Sequence, residues 1–104
     1  MKLKTFEVPW LPFGFDGMAL RWVILLKNED KGLLEHELIH IEQQKKHGFI
    51  KYMLLWFFND YRRALFEAEA FKYGQRYSDE RIIMILVKNY RISHDLAAAA
   101  VSFN

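Results

Sequence analysis

The stretch Leu33-Leu34-Glu35-His36-Glu37-Leu38-Ile39-His40-Ile41-Glu42-Gln43 limits the possible folds more than any other part of the chain. Leu34, Leu38 and Ile41 recur at helical spacing and fall on one side of an α-helix, the side expected to enter a core. On the same helix His36 and His40 are one turn apart and project from nearly the same azimuth. Their ring nitrogens can converge on one ion about 2.0–2.1 Å away, the bond length of zinc to imidazole. Glu37 follows His36 but is rotated about 100° around the axis. It is then out of easy reach of the ion and within reach of a water bound to it. Two histidines hold zinc poorly by themselves. The rest of the chain must therefore fold so as to bring a third ligand to this helix.

Composition narrows what that ligand can be. There is no cysteine, so the donors are histidine and carboxylate, and disulfides and a thiol nucleophile are excluded. At 104 residues, 52% of them apolar, the chain has material for one domain, 1–104, around a single core. A net charge of +2, with the basic residues scattered, argues against nucleic acid as a partner. The longest apolar runs, 22–26, 53–58 and 82–87, fall far short of a membrane span. The opening Met1-Lys2-Leu3-Lys4-Thr5-Phe6-Glu7 lacks the apolar stretch of a secretory signal. A cytoplasmic location is the expectation.

Taken in order, residues 4–8 alternate polar and apolar and read as a short strand ended by Pro9 and Pro12. Phe13-Gly14-Phe15-Asp16-Gly17 is a turn, and 18–27 reads as the main strand, the two strands forming a hairpin or small antiparallel sheet. The outer edge of that sheet can take an extended peptide by strand addition. Asp30 is the expected N-cap of a helix over 33–47, closed by Lys45, Lys46 and His47 and by Gly48 as the residue after its end. On it Glu35, Glu42 and Lys46 share a solvated face. His47 has the azimuth of the other histidines but lies about 10 Å beyond His40 along the axis, too far to join them. Residues 49–58 form a short aromatic helix, Asn59-Asp60 a break, and 61–77 a longer helix rich in Ala, Arg and Glu. Ser78-Asp79-Glu80 starts another over 81–90, where the β-branched run 82–87 leaves a buried strand as the alternative. Ser93-His94-Asp95 opens a short terminal helix, with 93–104 readable as a tail that frays by Ser102.

The third ligand is expected from Phe66-Glu67-Ala68-Glu69-Ala70-Phe71. Residues two apart on a helix diverge by about 200°, so only one glutamate of this pair can face inward. Around Glu67 lie Ala64, Ala70, Phe71 and Gly74, which are small or apolar and admit another helix. Around Glu69 lie Arg62, Lys72 and Arg76, with which it is expected to pair at the surface. Glu67 is therefore the buried carboxylate, and a buried carboxylate needs a cation or a hydrogen-bond donor.

These residues, with His47-Gly48-Phe49-Ile50-Lys51-Tyr52 and Tyr61-Arg62-Arg63-Ala64-Leu65-Phe66-Glu67-Ala68-Glu69-Ala70, resemble the gluzincin branch of zinc metallopeptidases. The likeness is strongest to the smallest single-domain members, the minigluzincins. It implies a zincin-like minimal fold, α+β and mostly helical, in which an N-terminal hairpin or small antiparallel sheet packs on the active-site helix and on a second, ligand-bearing helix. It also implies that His36, His40 and Glu67 bind Zn2+, with Glu67 in the Glu-x-x-Ala position, and that Glu37 is the general base. The expected activity is hydrolysis of a peptide bond in a peptide or protein substrate by metal-activated water. Tyr61, Tyr73, Tyr90 and His94 are candidate donors to the intermediate's charge. Phe71 departs from the pattern, because many gluzincins place there an Asp or Asn that orients a ligand histidine. The competing expectation is a non-catalytic zinc-binding or regulatory domain whose apolar segments, 49–58 and 82–87, form a homodimer or partner surface. A third state has His94 and Asp95 closing the site from the tail.

Overall fold

The computed structural model describes residues 2–12, 15–28 and 30–103. Phe13 and Gly14 of the expected turn, and Glu29 of the connector, lie outside the described residues. Three short strands, β1 (Lys4–Glu7), β2 (Gly17–Leu20) and β3 (Val23–Leu26), precede α1 (Lys31–His47), α2 (Phe49–Phe58) and α3 (Asp60–Ala70). A π-helical turn (Phe71–Gln75), α4 (Asp79–Asn89) and α5 (His94–Phe103) follow. The fold is α+β and mostly helical, as the sequence indicates. Among the described residues no helix is long and apolar enough to cross a membrane.

The sheet departs from the expected antiparallel pairing of 4–8 with a single strand over 18–27. Its order is β1-β3-β2: β1 runs parallel to β3 (Lys4 opposite Val23), and β2 is antiparallel to β3 (Leu20 opposite Val23). The run that read as one strand is itself a hairpin. It turns at Arg21-Trp22, where Arg21 takes φ 54°. What stabilises the turn comes from far along the chain. The Arg21 N–H donates to Gln44 Oε1 at 2.6 Å, and the Gln44 amide donates to the Ala19 carbonyl at 2.6 Å.

The helical boundaries follow from local chemistry. Asp30 accepts from the Leu33 N–H, Asn59 from that of Arg62 and Ser78 from that of Arg81, each capping the helix it precedes. Gly48, at φ 84°, ends α1 and lets α2 begin at once. The run 82–87 is helical, because Ser78 with Asp79 and Glu80 in the first turn starts α4 ahead of the β-branched residues. The helix expected over 61–77 stops being α-helical at Ala70, widens into the π turn and ends at Arg76 in the left-handed region, φ 61°.

Two apolar cores hold the molecule. Ile24 and Leu26 of β3 pack on Ile41 of α1. Ala64 and Ala68 of α3, Phe71, Ile82 and Leu86 of α4, and Ala97, Ala100 and Val101 of α5 form the larger one. Residues 94–103 are thus a packed helix and His94 is exposed at its start, away from the histidines of α1. Leu38 is 36% exposed and does not join Ile41 in the core. The reason is that α1 buries its polar side: His36, Glu37, His40, Gln43 and Gln44 are all buried with Ile41. Four of these five polar side chains find hydrogen-bond partners on other elements or on α1 itself, and Glu37 is the fifth.

Candidate metal centre

The packing of α3 and the π turn across α1 brings Glu67 to the two histidines. His36 Nε2 and His40 Nε2 are 3.1 Å apart, His36 Nε2 is 3.2 Å from Glu67 Oε1, and His40 Nε2 is 2.9 Å from Glu67 Oε2. All three residues are buried, 3–5% exposed. Ligands at about 2.0–2.1 Å from a tetrahedral ion stand about 3.3–3.4 Å from one another, so this spacing is close to that of a filled tripod.

Close approach of the π turn depends on Gly74. A methyl group there would lie 2.7 Å from both N and Cα of His36. The π turn then delivers Gln75, whose Oε1 accepts from His36 Nδ1 at 2.8 Å, while Phe71 sets its ring edge-on to the same imidazole at 4.4 Å. Phe71 thus packs on the His36 ring, and the polar group that orients that ring comes from one turn further on. Such widened turns recur at functional sites.

His40 is held as firmly. Its Nδ1 donates to Gln43 Oε1 at 2.8 Å, with the Tyr52 hydroxyl oxygen at 3.0 Å. The Gln43 amide nitrogen donates to the Phe66 carbonyl (2.9 Å) and to Glu69 Oε1 (2.7 Å), both acceptors, which fixes the direction of its Oε1. When both imidazoles are neutral their Nδ1 protons point outward and their Nε2 lone pairs face each other and Glu67. Two lone pairs at 3.1 Å repel unless a positive charge lies between them. That charge is the His40 proton in the metal-free protein, and the same donor set could hold a metal ion on two nitrogens and one oxygen. Glu69 differs from the expectation: it accepts from Gln43 and makes no ion pair with arginine among the described residues.

The charges respond accordingly. Burial pulls the His40 imidazole down, but the adjacent Glu67 carboxylate more than reverses this and raises it to about 9. Burial would raise Glu67, yet His40 and the two imidazole contacts hold it well below the usual carboxylate range. Glu67 also accepts from the Tyr90 hydroxyl at Oε1 (3.0 Å) and from the Trp56 indole N–H at Oε2 (2.9 Å). Burial and the charge of Glu67 push the Tyr90 hydroxyl well up, which keeps it a donor.

Glu37 is 4% exposed and makes no hydrogen bond or ion pair among the described residues. Burial raises its carboxyl above the usual range, against the pull of His40 and His36. Its Oε2 would sit 2.9 Å from a methyl group on Gly17, so β2 passes close over it and a side chain there would push the carboxylate aside. Glu37, His36 and Tyr90 face two adjoining cavities. One, of about 80 Å3, lies between β2 and the Tyr52, Met53 and Trp56 side of α2; the other, of about 790 Å3, runs toward Tyr77 and Arg81.

The four site residues expected from the sequence, His36, Glu37, His40 and Glu67, are thus brought together. Of the four donor candidates only Tyr90 reaches the site; Tyr61 packs on the larger core, and Tyr73 and His94 are exposed. Gln75, Tyr52, Trp56 and Gln43 are further residues of the site to which the sequence gives no role. Comparison with protein-family models, curated proteins and solved structures finds no match for this chain.

Proposed function

We propose that the protein is a zinc-dependent peptidase of gluzincin type, with His36, His40 and Glu67 as the metal ligands and Glu37 as the general base. The observation that carries this reading is Glu37: a buried carboxylate beside the tripod, without a hydrogen bond or ion pair among the described residues, opening on the cleft. A purely structural zinc site has no use for such a group, and its burial is costly. When bound, zinc acidifies a coordinated water and polarises a substrate carbonyl. Glu37 accepts the proton of the attacking water and passes it to the leaving amine, and its raised pKa suits both transfers. Tyr90, its hydroxyl protonated and at the cleft, is the donor for charge that develops on the carbonyl oxygen once that hydroxyl turns from Glu67, to which it donates in the structure. Gln75 and Gln43 keep the imidazoles in one tautomer and orientation. The strand β2 pairs on one edge only and lines the cleft, which suits a peptide bound in extended form.

The test is cleavage of a peptide library by the zinc-loaded protein, beside Glu37→Gln. The variant is expected to bind zinc as wild type does and to lose about 100-fold or more in rate. Full activity in the variant would refute the role of Glu37. A wild type that binds zinc but cleaves nothing would refute the peptidase reading.

A further inference from the structure

The helix α2 has two faces with different tasks. Tyr52, Met53 and Trp56 turn inward and wall the cleft. On the opposite side Ile50 is 64% exposed, Leu54 55%, Phe57 50% and Phe58 84%, although none of them has a polar atom in its side chain. At 100° per residue these four occupy a stripe about 100° wide running the length of the helix. Lys51 stands at its edge and is the only charged residue of α2. Trp22, at the tip of the β2–β3 hairpin, extends the apolar surface at the N-terminal end of α2, where the Arg21 guanidinium lies over both Trp22 (5.6 Å) and Phe49 (4.8 Å).

The charges around this stripe are positive on balance. Of the acidic residues nearby, Glu42 pairs with Lys45 (3.4 Å) and Asp60 with Arg63 (2.8 Å), while Glu69 turns inward to the neutral Gln43 amide and keeps its one negative charge. Lys46, Lys51 and Arg62 are exposed, make no ion pair among the described residues, and lie close enough together for all three to act on His47. Exposed apolar side chains along one helix, rimmed by uncompensated cations, match a surface that is apolar beneath and negative at its boundary.

We propose that the outer face of α2 docks on an anionic lipid surface, with Ile50, Leu54, Phe57 and Phe58 entering the headgroup–acyl boundary and Lys46, Lys51 and Arg62 meeting lipid phosphates and carboxylates. A second copy of this chain is a poorer occupant, because a two-fold contact along the stripe would bring two uncompensated cationic rims together. Phe57 both lines the cleft and belongs to the exposed stripe, so docking brings the mouth of the cleft to the lipid. The inference does not depend on the peptidase reading.

The test is co-flotation of the full chain with phosphatidylcholine–phosphatidylserine vesicles, and with phosphatidylcholine alone, alongside sedimentation analysis in their absence. Wild type is expected to float with the anionic vesicles at least tenfold more than with the neutral ones. L54S/F58S, altered only at exposed positions, should lose binding to both. K46Q/K51Q/R62Q should lose the preference for the anionic vesicles, about fivefold per cation or roughly 100-fold together. Wild type that ignores anionic vesicles, or binds both kinds equally, overturns the proposal. So does a stable dimer in solution that L54S/F58S dissociates.

Discussion

Replacing Gly74 with alanine tests the link between the π turn and the metal tripod. The added methyl would stand 2.7 Å from N and Cα of His36, whereas ordinary contact begins near 3.4 Å. Neither atom belongs to a flexible side chain, so α1 and the π turn must part by the difference, about 0.7 Å. Overpacking of this kind costs about 1–3 kcal/mol, and backbone against backbone lies at the upper end. Alanine's better helix propensity returns roughly 1 kcal/mol. The net loss is about 2 kcal/mol, or a fall in melting temperature of roughly 8–16 °C for a domain of this size. The same movement stretches the 2.8 Å contact between Gln75 and His36 to the limit of a hydrogen bond. It also exceeds the ~0.2 Å within which metal–ligand distances hold. Zinc affinity, read by competition with a chromophoric chelator, should therefore fall along with stability, read by thermal melting of the metal-free protein. Gly48→Ala supplies the control. At φ 84° it carries backbone strain of about 1–2 kcal/mol, but no atom lies within 4 Å of the new methyl. That variant should melt lower and bind zinc like wild type. If Gly74→Ala binds zinc as wild type does, the tripod does not depend on the close approach of the π turn.

Two further outcomes follow from the groups around the tripod. Gln75→Ala removes the acceptor that orients His36 without touching a ligand, and zinc affinity should fall about 10- to 100-fold with little change in metal-free melting; an unchanged affinity would show that Phe71 alone fixes the ring. In the metal-free protein the His40 imidazole titrates near 9, above its unfolded value of about 6.5, so its contribution to stability is complete below 6.5 and lost as pH rises through 9. Zinc competes with that proton, so its affinity should climb across the same interval, and calorimetry in buffers of different ionisation enthalpy at neutral pH should record at least one proton released per ion bound.

How much of this could be read from the sequence depended on how far each determinant lay along the chain. The azimuths of His36, Glu37 and His40 follow from helix geometry alone, and Glu67 could be chosen over Glu69 from the size of its neighbours. Capping residues Asp30, Asn59 and Ser78 act within three positions and were equally plain. The hairpin was hidden because Arg21 and Trp22 sit inside a β-favouring run, and what holds their turn is Gln44, far downstream. Leu38 was misassigned because apolar periodicity assumes that a helix buries its apolar side, whereas α1 buries a polar one. Gln75 was invisible for a different reason. A regular α-helix gives it one azimuth and the π turn another, and no residue in 71–75 announces the change.

The polar face of α1 also explains why the site calls for two positive charges. Glu37 and Glu67 are both buried, as are two imidazoles whose Nδ1 protons are already committed outward. With every group in its basic form, the centre would hold two negative charges and two opposed lone pairs in a medium that solvates neither. Metal-free, the protein lessens this with protons: His40 stays charged to about pH 9, and Glu37 is driven toward its neutral form. One proton leaves a single net negative charge and a second leaves none. A dication held by His36, His40 and Glu67 supplies both charges at once, with the imidazoles neutral and Glu37 ionised. A bound dication would lower the Glu37 carboxyl as His40 and His36 already do, which under the proposed function leaves it ionised as the base, while burial, the largest cause of its raised pKa, stays in place.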